Sequence, residues 1–208
     1  MAIPSFMHGV LWVWISVLIA GCVSQNAGTP NSSGGQILKS SDLNPEVSPG
    51  EKAVLTLAGL KVPVSVKYAL DGQDIAVKLI AHGEIFEKEA YVSSPEAFRL
   101  REAADAIYSP PLDLLRFPMH VGDKWSWSGR MITGGISRPT KATVTTSSNK
   151  IYIGSVGSDV VESSVELEIF AGAGHSPTKR KLGFWFAPKK GLLRREFGQE
   201  SIREPVAP

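Results

Sequence analysis

The sequence predicts a mainly-β domain: one antiparallel sheet with a wet face, and a single short helix. Three observations predict it. Apolar and polar residues alternate over many short runs, the period of a half-buried strand. Turn signals separate those runs, with Asp71-Gly72 the strongest hairpin pair. The 20 glycines and 14 prolines among 208 residues punctuate the chain without making it low-complexity. That length suits one domain with a sizeable core.

In chain order, the first element is not part of the domain. Residues 1–21 hold no Lys, Arg, Asp or Glu, and Gly9 to Gly21 is a nearly unbroken apolar run of 13 residues. As a helix that run spans roughly 20 Å, short of the ~30 Å hydrocarbon core, so it reads as a signal-peptide core rather than a membrane span. Ile19-Ala20-Gly21-Cys22 follows. It resembles the lipobox of bacterial lipoproteins, which implies that Cys22 is cleaved to become the N-terminus and takes a diacylglyceryl thioether. Only a thiolate is alkylated by the lipid donor, and small residues let the peptidase grip extended backbone. Several acyl chains at ~0.8 kcal/mol per buried CH₂ hold firmly. The competing reading, a buried cysteine ending a core segment, fits poorly with the abrupt polar shift at Val23. The opening MAIPSFMHG departs from the usual pattern in having no Lys or Arg. Position 23 is Val, not acidic, which by family habit leans to the outer membrane. The expected place is therefore the cell envelope, on the periplasmic face of a membrane.

Residues 22–50 are rich in Ser, Gly, Asn, Pro and Gln and too poor in apolar residues to offset their ordering entropy. They are expected to be a flexible tether with an end-to-end distance on the order of 30 Å. The domain is expected over residues 51–204. Val64, Val66, Tyr68 and Leu70 share one parity, and Ile75, Val77 and Leu79 repeat it after the turn. His82-Gly83-Glu84 leads into a strand from Ile85 to Val92. Ser94-Pro95-Glu96 then opens an alanine-rich run with a Ser cap and Pro at the first helical position, which predicts the helix. Phe98 and Leu100 against Arg99 and Arg101 would also alternate as a strand. Trp125 and Trp127 alternate with Ser126 and Ser128, Thr140 to Thr146 is β-branched, and Val165, Leu167 and Ile169 alternate with Ser164, Glu166 and Glu168. Leu182, Phe184 and Phe186 complete the series before Pro188.

Two phrases carry a resemblance. Phe117 to Trp127 reads FPMHVGDKWSW, and Trp185 to Glu196 reads WFAPKKGLLRRE. Both are similar to phrases in uncharacterised bacterial envelope lipoproteins, over roughly residues 108–197. Where those proteins have a V-P-A-G turn, this chain has Gly154-Ser155-Val156-Gly157-Ser158. The resemblance implies a curved antiparallel sheet or half-open barrel and no known enzymatic activity.

Chemistry is scarce in the sequence. There is no nucleophile elbow, zinc-binding HExxH, P-loop, CxxC or GxGxxG phrase. A single cysteine excludes an intramolecular disulfide and a multi-thiolate metal site. His82, His120 and His175 sit in separate turns. Glu166 and Glu168 share a solvated face. No catalytic residue, cofactor or metal ligand is expected. The formal charge of +2 rules out a charge-driven partner for the whole chain, and nucleic acid does not fit the location. Charge is uneven, however: residues 175–204 carry eight Lys or Arg against three Glu. Lys179, Arg180, Lys181, Lys189, Lys190, Arg194 and Arg195 could rest on an anionic surface at about 1 kcal/mol each. The favoured alternative is a solvated rim.

The leading expectation is a lipid-anchored, non-enzymatic envelope β-domain that binds or scaffolds an apolar ligand or partner. Trp125, Trp127, Val165, Leu167 and Phe184 would line a ligand-holding face or form a closed core. The alternative is an accessory protein of an envelope assembly or secretion machinery, working through a sheet edge or the basic face. A wall-polymer hydrolase would need convergent carboxylates in a cleft.

Overall fold

The structure, a computed structural model, describes residues 39–43, 51–153, 156–172, 175–188, 190–198 and 200–205. Cys22, the signal segment and Lys189 lie outside the described residues. Twelve strands follow in order: β1 (Glu51–Leu57), β2 (Leu60–Asp71), β3 (Asp74–Ala81), β4 (Glu84–Ser93), β5 (Ala97–Ala103), β6 (Ala106–Arg116), β7 (Lys124–Thr133), β8 (Ile136–Ile153), β9 (Val156–Ile169), β10 (Thr178–Ala187), β11 (Gly191–Phe197) and β12 (Glu200–Pro205). Each pairs antiparallel with its chain neighbour, and β12 also pairs with β1. The antiparallel mainly-β fold is the expected one, and its curvature continues to closure.

The helix expected after Ser94 does not form. Ala97 to Ala103 is β5, paired to β4 and β6. Phe98 and Leu100 turn into the core, while Arg99 and Arg101 reach Asp113 and Asp74. Ser94 does cap, accepting from the Glu96 and Ala97 N–H groups, but it caps the turn into a strand. Helix propensity separates ordinary residues by tenths of a kcal/mol, which pairing on both edges overrides. Within the stretch expected as a tether, Ser40–Leu43 is a 3-10 turn that lies near β10 and β11.

Hairpin chirality sets the two ends. At one end, called here the far rim, β1–β2, β3–β4, β5–β6 and β7–β8 are joined by two-residue turns, all with positive φ: Ala58-Gly59, His82-Gly83, Ala104-Asp105 and Gly134-Gly135. Such turns match the right-handed twist of the strands. The β9–β10 and β11–β12 connections lie at the same end. At the near rim β1 begins and β12 ends.

The near rim is closed by the second half of β6. Its pairing with β7 stops at Ser109↔Arg130 because Pro110 and Pro111 have no N–H to donate. Beyond that point the tryptophans bridge the seam. The Trp127 indole N–H donates to the Pro111 carbonyl at 3.2 Å and that of Trp125 to the Asp113 carbonyl at 3.2 Å. Leu112, Leu114 and Leu115 are fully buried there, and the Ser163 hydroxyl donates to the Leu114 carbonyl at 2.6 Å. The following Gly122-Asp123 turn behaves as its residues require. Gly122 takes φ +94°, and the Asp123 carboxylate accepts from the His120 N–H.

Candidate functional site

The residues expected to line a ligand-holding face lie inside the barrel and fill it. Val165, Leu167 and Phe184 are at most 1% exposed, and Trp125 and Trp127 are buried with them. They belong to one core with Val66, Val77, Leu100, Leu114 and Phe186. The indoles are fixed at the β6 seam.

The basic stretch does not form one cationic face, because strand alternation divides it. Lys179 and Lys181 point outward and pair with Glu168 (3.5 Å) and Glu166 (3.2 Å) on β9. Arg194 also faces out, paired with Glu196 at 2.6 Å and lying 4.9 Å over the Trp185 ring. Lys190 is exposed in the β10–β11 turn. Arg180 points the other way, into the far-rim mouth. Arg195 overturns its expected role outright: it is buried at 1% exposure inside the barrel, where it meets no surface.

Arg195 anchors a buried ion cluster whose members come from distant strands. Its Nε donates to Glu89 Oε1 at 2.7 Å, and its Nη2 to Glu87 Oε2 at 2.6 Å. The Tyr91 hydroxyl donates to Glu89 Oε2, and the Ala104 N–H donates to Glu87 Oε1 at 3.1 Å. The guanidinium lies 4.5 Å over the Phe197 ring, and its Nη1 is buried without a partner. Burial works against the Arg195 charge, but Glu89 and Glu87 more than offset it and hold the group above its ordinary value. Burial lifts the Glu87 carboxyl above the usual range, against the pull of Arg195. The carboxylates converge, but Glu89 is sealed and both are bonded to Arg195. The arrangement braces β4 against β11 across the barrel. The signal was the shared parity of Glu87, Glu89 and Tyr91, while their partner lies more than a hundred residues away.

At the far rim, a cavity of about 300 Å³ opens among β7, β8, β9 and β10. Met131, Ile169 and Ala171 give it an apolar floor, and Thr133, Thr178, Arg138 and Arg180 its polar wall. Alternation puts these side chains on the inward parity: Ile169 is flanked by Thr140 and Thr178, and Leu167 by Ala142 and Arg180. Thr133 Oγ1 is buried with no hydrogen-bond partner. Burial pushes the Tyr108 phenol up to about 12, and the charge of Arg180 opposes that rise. Around the same rim, four neighbouring hairpins expose large apolar side chains: Leu60, Ile85 with Phe86, Ile107 and Ile136. His82 and His175 also belong to this rim and His120 to the other. Among the described residues no group of three His, Cys, Asp or Glu is placed to hold a metal.

No protein-family profile matches the chain, and no curated protein matches it in sequence. Among solved structures, it is similar to the hypothetical lipoprotein YmcC of Escherichia coli at 13% identity. That match covers 77% of this chain and 86% of that one, with TM-score 0.43. It is also similar to a Bacteroides fragilis protein described as having a YmcC-like fold, at 14% identity. Here 77% of this chain and 97% of the other are covered, with TM-score 0.45.

Proposed function

We propose that this chain is a lipid-anchored protein of the bacterial cell envelope, and that its barrel is a non-enzymatic binding module working at a membrane surface through its far rim. The observation that carries the reading is the set of four consecutive hairpins with exposed Leu60, Ile85, Phe86, Ile107 and Ile136, on the same rim as a mouth that holds Arg138 and Arg180. Apolar tips with adjacent cations suit the interface of an anionic bilayer. The lipobox at Cys22 supplies such a bilayer within reach of the tether. A non-enzymatic role is supported by the locking of Glu87 and Glu89 onto Arg195, which leaves neither free for proton transfer to a substrate. The apolar ligand is moved in this reading from the middle of the sheet to the rim, since the middle is filled.

Fractionation of cells expressing the full chain tests it. The protein is expected with the membranes, cut before Cys22 and carrying acyl mass, and Cys22→Ala is expected uncut and unacylated. Wild-type protein found in the cytosol with residues 1–21 intact would overturn the proposal.

A second reading, action through protein contacts, draws on one feature. β8 and β9 pair as far as Ile153↔Val156, beyond the last β7 partner at Thr145 and the last β10 partner at Val161. The projecting ribbon therefore has open edges and an exposed Tyr152, which is how one chain adds strands to another. In-cell cross-linking from position 152 to a defined envelope protein would favour it.

A further inference from the structure

We propose that the far-rim cavity is a binding site for a phosphomonoester carried on an apolar tail. This rests on the membrane-surface reading only for where such a molecule would come from. Charge is the first argument. Arg99, Arg101, Arg116, Arg194 and Arg195 each pair with a carboxylate, and Arg130 bonds Ser137. Of the arginines whose side chains are described, Arg138 and Arg180 are the two with no carboxylate partner and no side-chain hydrogen bond. Both line one cavity whose lining contains no acid. Arg138 is half-buried and Arg180 exposed at this mouth, and two cations facing one space favour an anion between them. Planar forks favour phosphate, which a dianionic monoester matches in charge.

The second argument is the unpartnered hydroxyl. Thr133 Oγ1 is buried beside the arginines with nothing to bond, and a native buried hydroxyl is ordinarily satisfied. Rotation about χ1 would turn it into the cavity that Thr133 lines, where a phosphate oxygen would accept from it. Thr178 adds a second hydroxyl on the wall. The third argument is the floor. Met131 and Ile169 are buried core residues whose surfaces end the cavity, and bare inorganic phosphate would leave them wet. At about 300 Å³ the cavity is at the small end for ligand sites and holds a headgroup with its first methylenes rather than a whole lipid.

The test uses the full chain purified in a non-ionic detergent and titrated calorimetrically with hexyl phosphate, inorganic phosphate and hexanol. Hexyl phosphate is expected to bind at least about tenfold more tightly than either of the others. Arg138→Ala and Arg180→Ala are each expected to weaken it about tenfold or more, with Thr133→Val weaker than wild type and Lys190→Ala unchanged. Circular dichroism and melting temperature, unaltered in the arginine variants, separate loss of binding from loss of fold. Equal binding of hexyl and inorganic phosphate would overturn the tailed ligand and point to a free-phosphate site. Undiminished binding by the double arginine variant, or no binding by the wild type, would overturn the site. The outcome is independent of fractionation: a cytosolic protein that binds hexyl phosphate refutes only the membrane reading, and a membrane-bound protein that does not bind refutes only this one.

Discussion

Arg195 shows how far a single side chain can depart from what its neighbourhood in sequence implies. It stands in a basic run, yet it is the cation that makes the buried Glu89 and the half-buried Glu87 tolerable. Replacing it with Met would leave Glu87 and Glu89 without a counter-charge, and removing one partner of a buried pair costs ~3–5 kcal/mol. A correspondingly lower urea midpoint at pH 7 is expected for Arg195→Met, largely restored when Glu87→Gln and Glu89→Gln are added. Glu87 also gives a pH signature. Its carboxyl titrates above its ordinary 4.5 in the folded chain because burial disfavours the charge. The folded state therefore holds that proton more tightly than the unfolded state does. Its stabilising contribution is complete below about 4.5 and is lost as pH rises through the folded value. Melting curves of wild type and Glu87→Gln from pH 4 to 8 should show wild type losing ground to the variant as pH rises. A difference that is flat or reversed with pH would contradict the assignment.

At the scale of elements, the two phrases that stood out in the sequence do structural work. Trp125 and Trp127 replace backbone pairing where Pro110 and Pro111 interrupt it, so β6 and β7 stay joined while β6 bends across the near rim. Gly129 belongs to the same device. A Cβ there would run into the Trp127 ring and approach the Ser109 carbonyl oxygen to 2.6 Å. Gly129→Ala is expected to cost about 1–3 kcal/mol, the range for overpacking a core, and to disturb the near-UV signal of the tryptophans. Denaturant unfolding followed by circular dichroism measures both. Gly183 plays the same part on the outer face, where the Trp185 ring lies over it and joins Val160, Ala187 and Leu193 in a small second cluster. The strands with clean alternation, β2, β3, β9 and β10, were legible in the sequence. β5 was not, because Ser94-Pro95 and four alanines carry helix signals that local propensity cannot weigh against pairing. The turn at Pro188 and Gly191 also announced a strand after it, which is β11, but β12 was missed, because its short, charged segment has little apolar rhythm.

For the whole molecule, the distribution of polarity decides what kind of barrel this is. The inner parity carries Leu, Val, Phe and Trp, and the outer parity carries pairs such as Lys181–Glu166. A membrane-spanning barrel reverses this, with an apolar band outside and a polar lumen. Among the described residues no helix is long and apolar enough to cross a bilayer either. The expected signal segment, lipobox and tether were read from residues taken in linear order, and they remain expectations of the sequence. Antiparallel strands and their two faces were equally readable, because alternation with period two is a local property. Closure of β12 onto β1, the Arg195–Glu87–Glu89 cluster and the placing of Arg138 and Arg180 at one mouth were decided only in three dimensions. Each joins residues far apart in the chain, and nothing in a residue's immediate neighbours encodes which distant strand it will face.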